Sequence, residues 1–496
     1  MVETEFEPVI GLEVHVQLQT RSKMFCGCDS DYQNASPNEH VCPVCLGLPG
    51  ALPVINKAAV EMVIKAGLAL HSDIAEYTKF DRKNYPYPDL MKGYQISQFD
   101  LPICVGGYLD IQTDGEPRRI HMTRVHLEED AAKLLHRPND ASGGHTLVDV
   151  NRAGSALMEM VGEPDIRTPD EARAFLVQLR AILRYIGVSA ANMEEGNLRC
   201  DANVSVRPKG SDQMNSKVEV KNMNSFRAVQ RALVYEIDRQ TRLMKEGQPI
   251  AQETRGWVED RGVTVSQRSK EQAHDYRYFP EPDLPPLIIG RDWVEQLRSQ
   301  LPELPEAKQQ RFAQQYGLSP YDSDLLTTSK EIADWFEAVV ATKAADGEAL
   351  GQRAKAASNW ILGELTRLLN ATGKELSDIP MQPQHLSELL DLLDDRTLST
   401  SMAKDVFEDV FNTGRTPSEV VKEKGFTQVA DADSLSPMAA EAIASNPKAV
   451  EDYMAGRDTA VKFLVGQVMK LSRGQANPSL AEELLRARLE ERKGGA

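Results

Sequence analysis

Four of the six cysteines in this 496-residue chain fall inside one short stretch, CGCDSDYQNASPNEHVCPVC. Cys26, Cys28, Cys42 and Cys45 form the pattern C-x-C-x13-C-x-x-C, two close pairs joined by a polar loop. Four thiolates so spaced suit a tetrahedral zinc ion, and four sulfurs leave no coordination position open for chemistry. The centre is therefore expected to be structural, holding a loop that has no core of its own. The competing reading is four free thiols in an accidental arrangement, and a reducing compartment makes metal binding the stronger of the two. Cys104 and Cys200 lie on the apolar faces of strand-like segments and read as plain core residues.

A second set of reactive types sits on alternating segments. In GLEVHVQLQ, Leu12, Val14, Val16 and Leu18 point one way, and Glu13, His15, Gln17 and Gln19 the other. TRVHLEED sets Val125 and Leu127 against Arg124, His126 and Glu128. LRCDANVSVR alternates in the same manner, and KVEVK puts Lys217, Glu219 and Lys221 on one face. Residues two apart in a strand project together about 6–7 Å from each other. Glu13 with His15, and His126 with Glu128, are thus paired, and NRAGSALMEM adds Asn151, Arg152 and Glu159 just after Asp149. If these strands are neighbours, carboxylates and imidazoles converge among cations. Oxygen-rich ligation of that kind suits Mg²⁺, which commonly holds nucleotide phosphates. The bland alternative is an ordinary solvated sheet face, the better reading for any one strand alone. Histidine beside glutamate on two strands weighs against it. The segment DRKNYPYPDLMKGYQISQ, residues 81–98, reads as a long loop whose Tyr, Lys and Gln suit a ligand, although its prolines equally suit a stiff surface loop. There is no phosphate-binding G-x-x-x-x-G-K-[ST], no G-x-G-x-x-G and no G-x-S-x-G, so a nucleotide must be held by other means.

The elements that must position these groups change character along the chain. As far as residue 290 the pattern is mixed, with one-sided strands typical of an antiparallel sheet backed by helices. Two backing helices are legible: one in TPDEARAFLVQLRAILRYIG, with Thr168 as N-cap, Pro169 next, Glu171 closing a capping box and Gly187 as the stop, and another starting at Ser225. Beyond PEPDLPPL, period-two segments nearly vanish. TPSEVVKE repeats the capping box with Thr416, Pro417 and Glu419, and a break is expected near residues 401–416. The fold class is α+β in three domains: 1–290 a sheet-containing body, 291–405 an all-helical domain and 406–496 a small helical tail. A formal charge of -17 argues against binding nucleic acid by bulk attraction, though not against a local basic patch. No run of about 18 apolar residues suggests a membrane span. The acidic start MVETEFEPVIGLEVHVQ has no basic n-region and no apolar h-region, so it does not read as a secretory signal, and a cytoplasmic location is expected.

At VIGLEVHVQL, CLGLPGALPVIN, DRKNYPYPDLMKGYQISQ, VHLEEDAAK, DVNRAGSALMEMVGEPDIR, GNLRCDANVSVR, KVEVKNMNSF, HDYRYFPEPDLPP and FLVGQVMKLSRGQANP the chain resembles, nearly end to end, the B subunits of aspartyl/glutamyl-tRNA(Asn/Gln) amidotransferases. Met91 and Ala156 stand where that family commonly has proline, and neither carries a titratable group. The resemblance implies a cradle-like catalytic body. It implies ATP-dependent amidation of the side-chain carboxylate of Glu-tRNA(Gln) or Asp-tRNA(Asn) through an acyl phosphate. The ammonia would be channelled from a glutaminase A subunit braced by a small C subunit. It makes Glu13, His15, Glu128 and Glu159 the candidates for Mg²⁺, and the four cysteines the zinc site. Arg152, Lys217 and Lys221 become candidate catalytic contacts to phosphate or substrate. In the tail, Phe463, Leu464, Val468 and Leu471 read as an apolar stripe with Lys462, Lys470 and Arg473 outside it, and the resemblance makes these cations tRNA contacts. Two rival readings remain: a zinc-stabilised tRNA-binding scaffold without chemistry, and a stand-alone metal-dependent hydrolase.

Overall fold

The computed structural model describes residues 5–113, 116–137, 144–269, 276–343, 346–426, 432–472, 476 and 478–494. The chain divides into two compact units, Met1–Leu304 and Pro305–Ala496. In the first, the alternating segments become strands because their apolar sides can be buried together. The strand Phe6–Gln17 buries Val9, Ile10, Leu12, Val14 and Val16. It lies between two antiparallel neighbours, Leu198–Pro208 and Ala156–Gly162, and the latter pairs in turn with Glu116–Glu129. Together these form the middle of a ten-stranded sheet.

The sheet is mixed rather than wholly antiparallel. Val218–Lys221 runs parallel to Glu253–Val258. A parallel step needs a crossover connection, and the helix Phe226–Lys245 lies between these two strands in the chain. That helix is capped by Ser225, whose side chain accepts from the Ala228 amide. The helix Pro169–Tyr185 has the full capping box of Thr168 and Glu171, and Gly187 follows it at φ +67°. Phe175, Leu176 and Leu179 of one helix and Val229, Ala232 and Leu233 of the other join the sheet's apolar face in a single core. Residues 81–98 differ from the expected loop. Asp81–Asn84 and Tyr94–Ser97 pair as antiparallel strands, with the Tyr-Pro-Tyr-Pro run as their connection.

The helix Arg291–Ser299 belongs to the first unit, where Val294 and Leu297 join its core, so the unit ends later than residue 290. The second unit is helical and has two separate clusters, one from Phe312 to Val420 and one from Leu435 to Leu489. The break expected at 405/406 instead falls within the helix Thr400–Thr413, whose Met402, Val406, Phe407 and Phe411 pack in the first of these clusters. Gly414 at φ +71° and the Thr416 capping box end one helix and start the next, which imitates a linker in the sequence. Among the described residues, no helix is long and apolar enough to cross a membrane.

One close approach fixes the helix Lys57–Ala69 against the sheet. A β-carbon on Gly67 would run into the Cys104 sulfur and come within 3.1 Å of Cys104 Cβ and Ile74 Cδ1. Gly67→Ala should therefore lower stability by about 1–3 kcal/mol despite the better helix propensity of alanine. Urea or thermal unfolding measures this, and an unchanged or raised midpoint would contradict the packing.

Candidate active site and metal centre

Strand register assembles the first site. His15 stands opposite Glu159, Glu159 opposite His126, and on the other side His15 opposite Arg199. Four residues far apart in sequence thus form one row across four strands spaced about 4.8 Å apart. Glu128 follows two positions after His126, on the same face. His15 Nε2 lies 3.8 Å from Glu128 Oε1 and 3.7 Å from Glu159 Oε2. His126 Nε2 is 3.3 Å from Glu159 Oε2 and 3.8 Å from Glu128 Oε2. One donor atom each from His15, Glu128 and Glu159 falls within 4.8 Å of the others. An octahedral ion with bonds near 2.1 Å sets its ligand atoms about 3 to 4.2 Å apart, so two carboxylates and an imidazole at these separations fit a divalent cation.

Part of this face is shielded from solvent, while His15 and Glu159 remain partly accessible. His126 and Glu128 are each only 2% exposed. The hairpin of residues 81–97 covers them. The Ser97 hydroxyl donates to Glu128 Oε2 at 3.1 Å, and the Ile96 amide donates to Glu129 Oε1 at 2.8 Å. Lys92 pairs with Glu129 at 2.8 Å. Lys83 comes from the hairpin's first strand and rests over the Tyr276 ring at 5.2 Å. Burial by itself would lower the Lys83 ammonium's pKa, but the charges of Glu128 and Glu159 hold it above the ordinary lysine range. Tyr278 stacks on Phe99 at 4.3 Å, adding an aromatic wall. Burial also opposes charging of His126, yet the adjacent Glu128 and Glu159 raise its pKa above the usual imidazole value. Glu159 shows the converse. Burial pushes its carboxyl up, but His126, His15 and Lys83 hold it well below the usual carboxylate range. The other ring nitrogen of His126, Nδ1, is buried without a hydrogen-bond partner.

Glu13 does not join the converging donors. It projects on the same face one pleat away, where its Oε1 accepts a 2.8 Å hydrogen bond from Asn203 Nδ2. Arg152 donates to the carbonyls of Ala131 (2.9 Å) and Ala132 (3.2 Å) and lies 3.5 Å from Asp130. Arg199, which the sequence did not single out, also grips Asp130. Burial would raise the Asp130 carboxyl, but the two guanidiniums keep it below its ordinary value. Lys221 is held by Asp201 (2.5 Å) and Glu219 (3.3 Å), and Lys217 is exposed ahead of its strand. His126 was expected on this face but given no role of its own, and Lys83 is a residue that sequence reasoning did not single out. The signal for Lys83 was the alternation within DRKN, hidden by the prolines after it. Beyond His15 on the same strand, a cavity of ≈ 820 Å³ opens, lined by Gln17, Thr20, Arg21, Asp29, Tyr32 and Asn197. Tyr32 donates to Gln17 Oε1 at 2.8 Å across it.

The four-cysteine cluster forms the second site. Its four sulfurs all lie within 4.8 Å of one another, and Cys42 and Cys45 Sγ are 3.9 Å apart. Tetrahedral zinc with bonds of about 2.3 Å sets its sulfurs about 3.8 Å apart, so the cluster fits that ion. The thiols already share protons unevenly. A hydrogen bond from Cys26 and the Cys42 amide pull Cys45 down to about 4, against its burial, while that same bond and burial push Cys26 up. The loop between the cysteine pairs is clasped to the segment preceding Arg152. Asn151 Oδ1 accepts from the His40 amide at 2.8 Å, and its Nδ2 donates to the Ser36 carbonyl at 2.7 Å.

In the second unit, Lys462 and Lys470 are exposed on the helix Thr459–Leu471, and Arg473 lies outside the described residues. That helix buries Val461, Leu464 and Val468. Phe463 and Leu471, expected in the apolar stripe, are 53% and 41% exposed, because the buried positions follow the 3.6-residue period from Val461 instead.

The family described as GatB/GatE catalytic domain matches residues 8–295, and the one described as GatB domain matches residues 334–489. The chain is 56% identical over 485 residues to the aspartyl/glutamyl-tRNA(Asn/Gln) amidotransferase B subunit of Carboxydothermus hydrogenoformans, covering 98% of this chain and 99% of the relative. It is 54% identical over 490 residues to the protein of the same description from Dehalococcoides mccartyi (strain 195), covering 98% and 100%. The corresponding protein of Thermoanaerobacter sp. (strain X514) is 53% identical over 485 residues, covering 98% and 99%.

The electrostatics of the row make a titration prediction. Because the folded pKa of His126 is raised, its charge adds stability that is fully present below about pH 6.5 and is lost as pH rises through the folded value. In metal-free protein, side-chain NMR should show His126 titrating above 6.5. In Glu159→Gln, with burial unopposed on that side, the value should drop. A wild-type value below 6.5 would contradict the assigned charge balance.

Proposed function

The chain belongs to the B-subunit family of aspartyl/glutamyl-tRNA(Asn/Gln) amidotransferases, and from that premise we propose that its first unit activates the side-chain carboxylate of a mischarged Glu-tRNA(Gln) or Asp-tRNA(Asn) with ATP. The observation that supports this most is the convergence of His15, Glu128 and Glu159 near Lys83, two carboxylates and an imidazole of which Glu128 is buried while His15 and Glu159 stay partly open to a ligand. A carboxylate is a poor electrophile. Its oxygen attacks the γ-phosphorus of ATP, ADP departs, and the acyl phosphate so formed is attacked at carbon by ammonia. Phosphate leaves, nitrogen gives up a proton, and the amide remains.

His15, Glu128 and Glu159 would hold Mg²⁺, which when bound neutralises phosphate charge. Lys83 is placed to stabilise the transferring phosphoryl group, whose charge spreads over its equatorial oxygens. His126 buttresses Glu159 from the side away from His15. Tyr276 and Tyr278, with Phe99 stacked on the latter, line this side of the site and would limit access of water, which hydrolyses an acyl phosphate. Glu13 holds its neighbour Asn203 and so supports the strand pair from one pleat away. Arg152 and Arg199, gathered on Asp130, brace the end of the row nearest the cavity at Gln17. Lys217 and Lys221 flank the far side of the sheet as weaker substrate contacts. The four cysteines would hold zinc as a structural centre. The ammonia comes from a glutaminase A subunit working with a small C subunit in the cytoplasm, and the helical tail grips tRNA.

Glu128→Gln and Glu159→Gln should each cut ammonium-supported, ATP-dependent amidation by about 100-fold or more while leaving tRNA affinity unchanged. Wild-type rates in both variants, with ammonium supplied, would leave a scaffold role in place of a catalytic one. Independently, Lys462→Glu with Lys470→Glu should weaken tRNA binding and reduce its salt slope by about one unit for each phosphate no longer neutralised. Unaltered affinity in a gel-shift titration would remove this helix from the tRNA-binding surface.

A further inference from the structure

Lys23 is wholly buried, with no solvent exposure at all. Lysine is almost never found so without a partner of opposite charge. Its Nζ donates to the carbonyl oxygens of His40 at 2.8 Å and Val150 at 3.3 Å. Among the described residues it makes no ion pair with a carboxylate. Two carbonyls occupy two N–H groups, but neutral dipoles do not offset a buried unit charge as a counter-ion does. The side chain's path points to where that counter-ion is. The backbone amide of Lys23 donates to the carbonyl of Cys28 at 3.0 Å. Its stem then passes Gly154, where a β-carbon would sit 3.7 Å from both Lys23 Cδ and Cys45 Cβ. The lysine stem, Cys45 and the Phe25 ring thus meet around this bare glycine. The ammonium ends on the carbonyl of His40, two residues before Cys42.

We propose that Lys23 is the resident counter-cation of the four-cysteine centre, offsetting its thiolate charge and tying the cysteine loop to Val150. This rests on the zinc reading of that centre. Four thiolates around a divalent ion carry a net charge of about -2, which is costly on the buried Cys45 side of a half-buried centre unless a fixed cation stands beside it. The lysine and the centre each supply what the other lacks. Lys23 acts through the cysteines rather than on substrate, so it is a positioning residue. Through Val150 and the Asn151 clasp it also links the metal loop to the segment that carries Arg152.

The test uses the full chain with Lys23→Met, which keeps the shape without the charge, and Lys23→Gln, which keeps a donor for the two carbonyls without the charge. Zinc content, chelator competition and thermal unfolding are measured before and after zinc is stripped. Wild type should carry about one zinc per chain, and both variants should bind zinc about 10- to 100-fold more weakly. With zinc bound the variants should melt below wild type. Without zinc the gap should close or reverse, because the buried ammonium then lacks most of its counter-charge. Equal zinc affinity, or the same loss of melting temperature in both states, overturns the proposal and assigns Lys23 a packing role. Wild-type protein without zinc overturns the zinc reading itself, a distinct outcome.

Discussion

The arrangement depends on the register of three neighbouring strands, Phe6–Gln17, Ala156–Gly162 and Glu116–Glu129. Side chains in a strand alternate with a period of two, so a slip of one residue would send His15, Glu159 and His126 into the hydrophobic core and their apolar neighbours out. Burial of Val14, Val16, Met158, Met160, Val125 and Leu127 on the opposite face penalises any such slip. The apolar side of the sheet thus fixes the geometry of its polar side. Chemistry-bearing groups from positions 15, 126, 128 and 159 meet because hydrophobic burial holds the ladder in one alignment.

That polar side survives burial only because its charges are balanced locally. Glu128 and Glu159 face His15, His126 and Lys83. Glu129 faces Lys92, and Asp130 faces Arg152 and Arg199. The hairpin of residues 81–97 contributes both lysines and also covers His126 and Glu128. The cysteine centre attaches to the same structure from outside. Its loop is bonded through His40 and Ser36 to Asn151, beside Arg152. A loop with no core of its own therefore has a defined position relative to a face where displacements of an ångström matter.

Much of this was legible in sequence, and the rest was hidden for identifiable reasons. Period-two alternation identified the strands and the outward-facing His15, His126, Glu128 and Glu159, because alternation follows directly from backbone geometry. Capping boxes at Thr168 and Thr416 located helix starts, since those hydrogen bonds are local. Pairing order is non-local, so Glu13 looked equivalent to His15 until the register set it opposite Asp201, with its carboxylate accepting from Asn203 on the diagonal. Prolines at 86 and 88 disguised a hairpin as a loop and concealed Lys83. A lysine buried at position 23 reads as an ordinary surface cation, because its partners at 40, 45 and 150 are distant in sequence. The helix Thr400–Thr413 was cut by an expected domain break because Gly414 and Thr416-Pro417 are stop and start signals wherever they occur, between domains or within one.

The central claim is that His15, Glu128 and Glu159 close on one divalent ion. It is tested most directly by loading the protein with Mn²⁺ and recording electron spin-echo envelope modulation on protein with ¹⁵N-labelled histidine. The account predicts coupling to a single imidazole nitrogen, abolished in His15→Gln and retained in His121→Gln, a histidine paired with Asp165 outside the group. A bound Mn²⁺ signal with no histidine coupling, or with coupling that persists in His15→Gln, would contradict it.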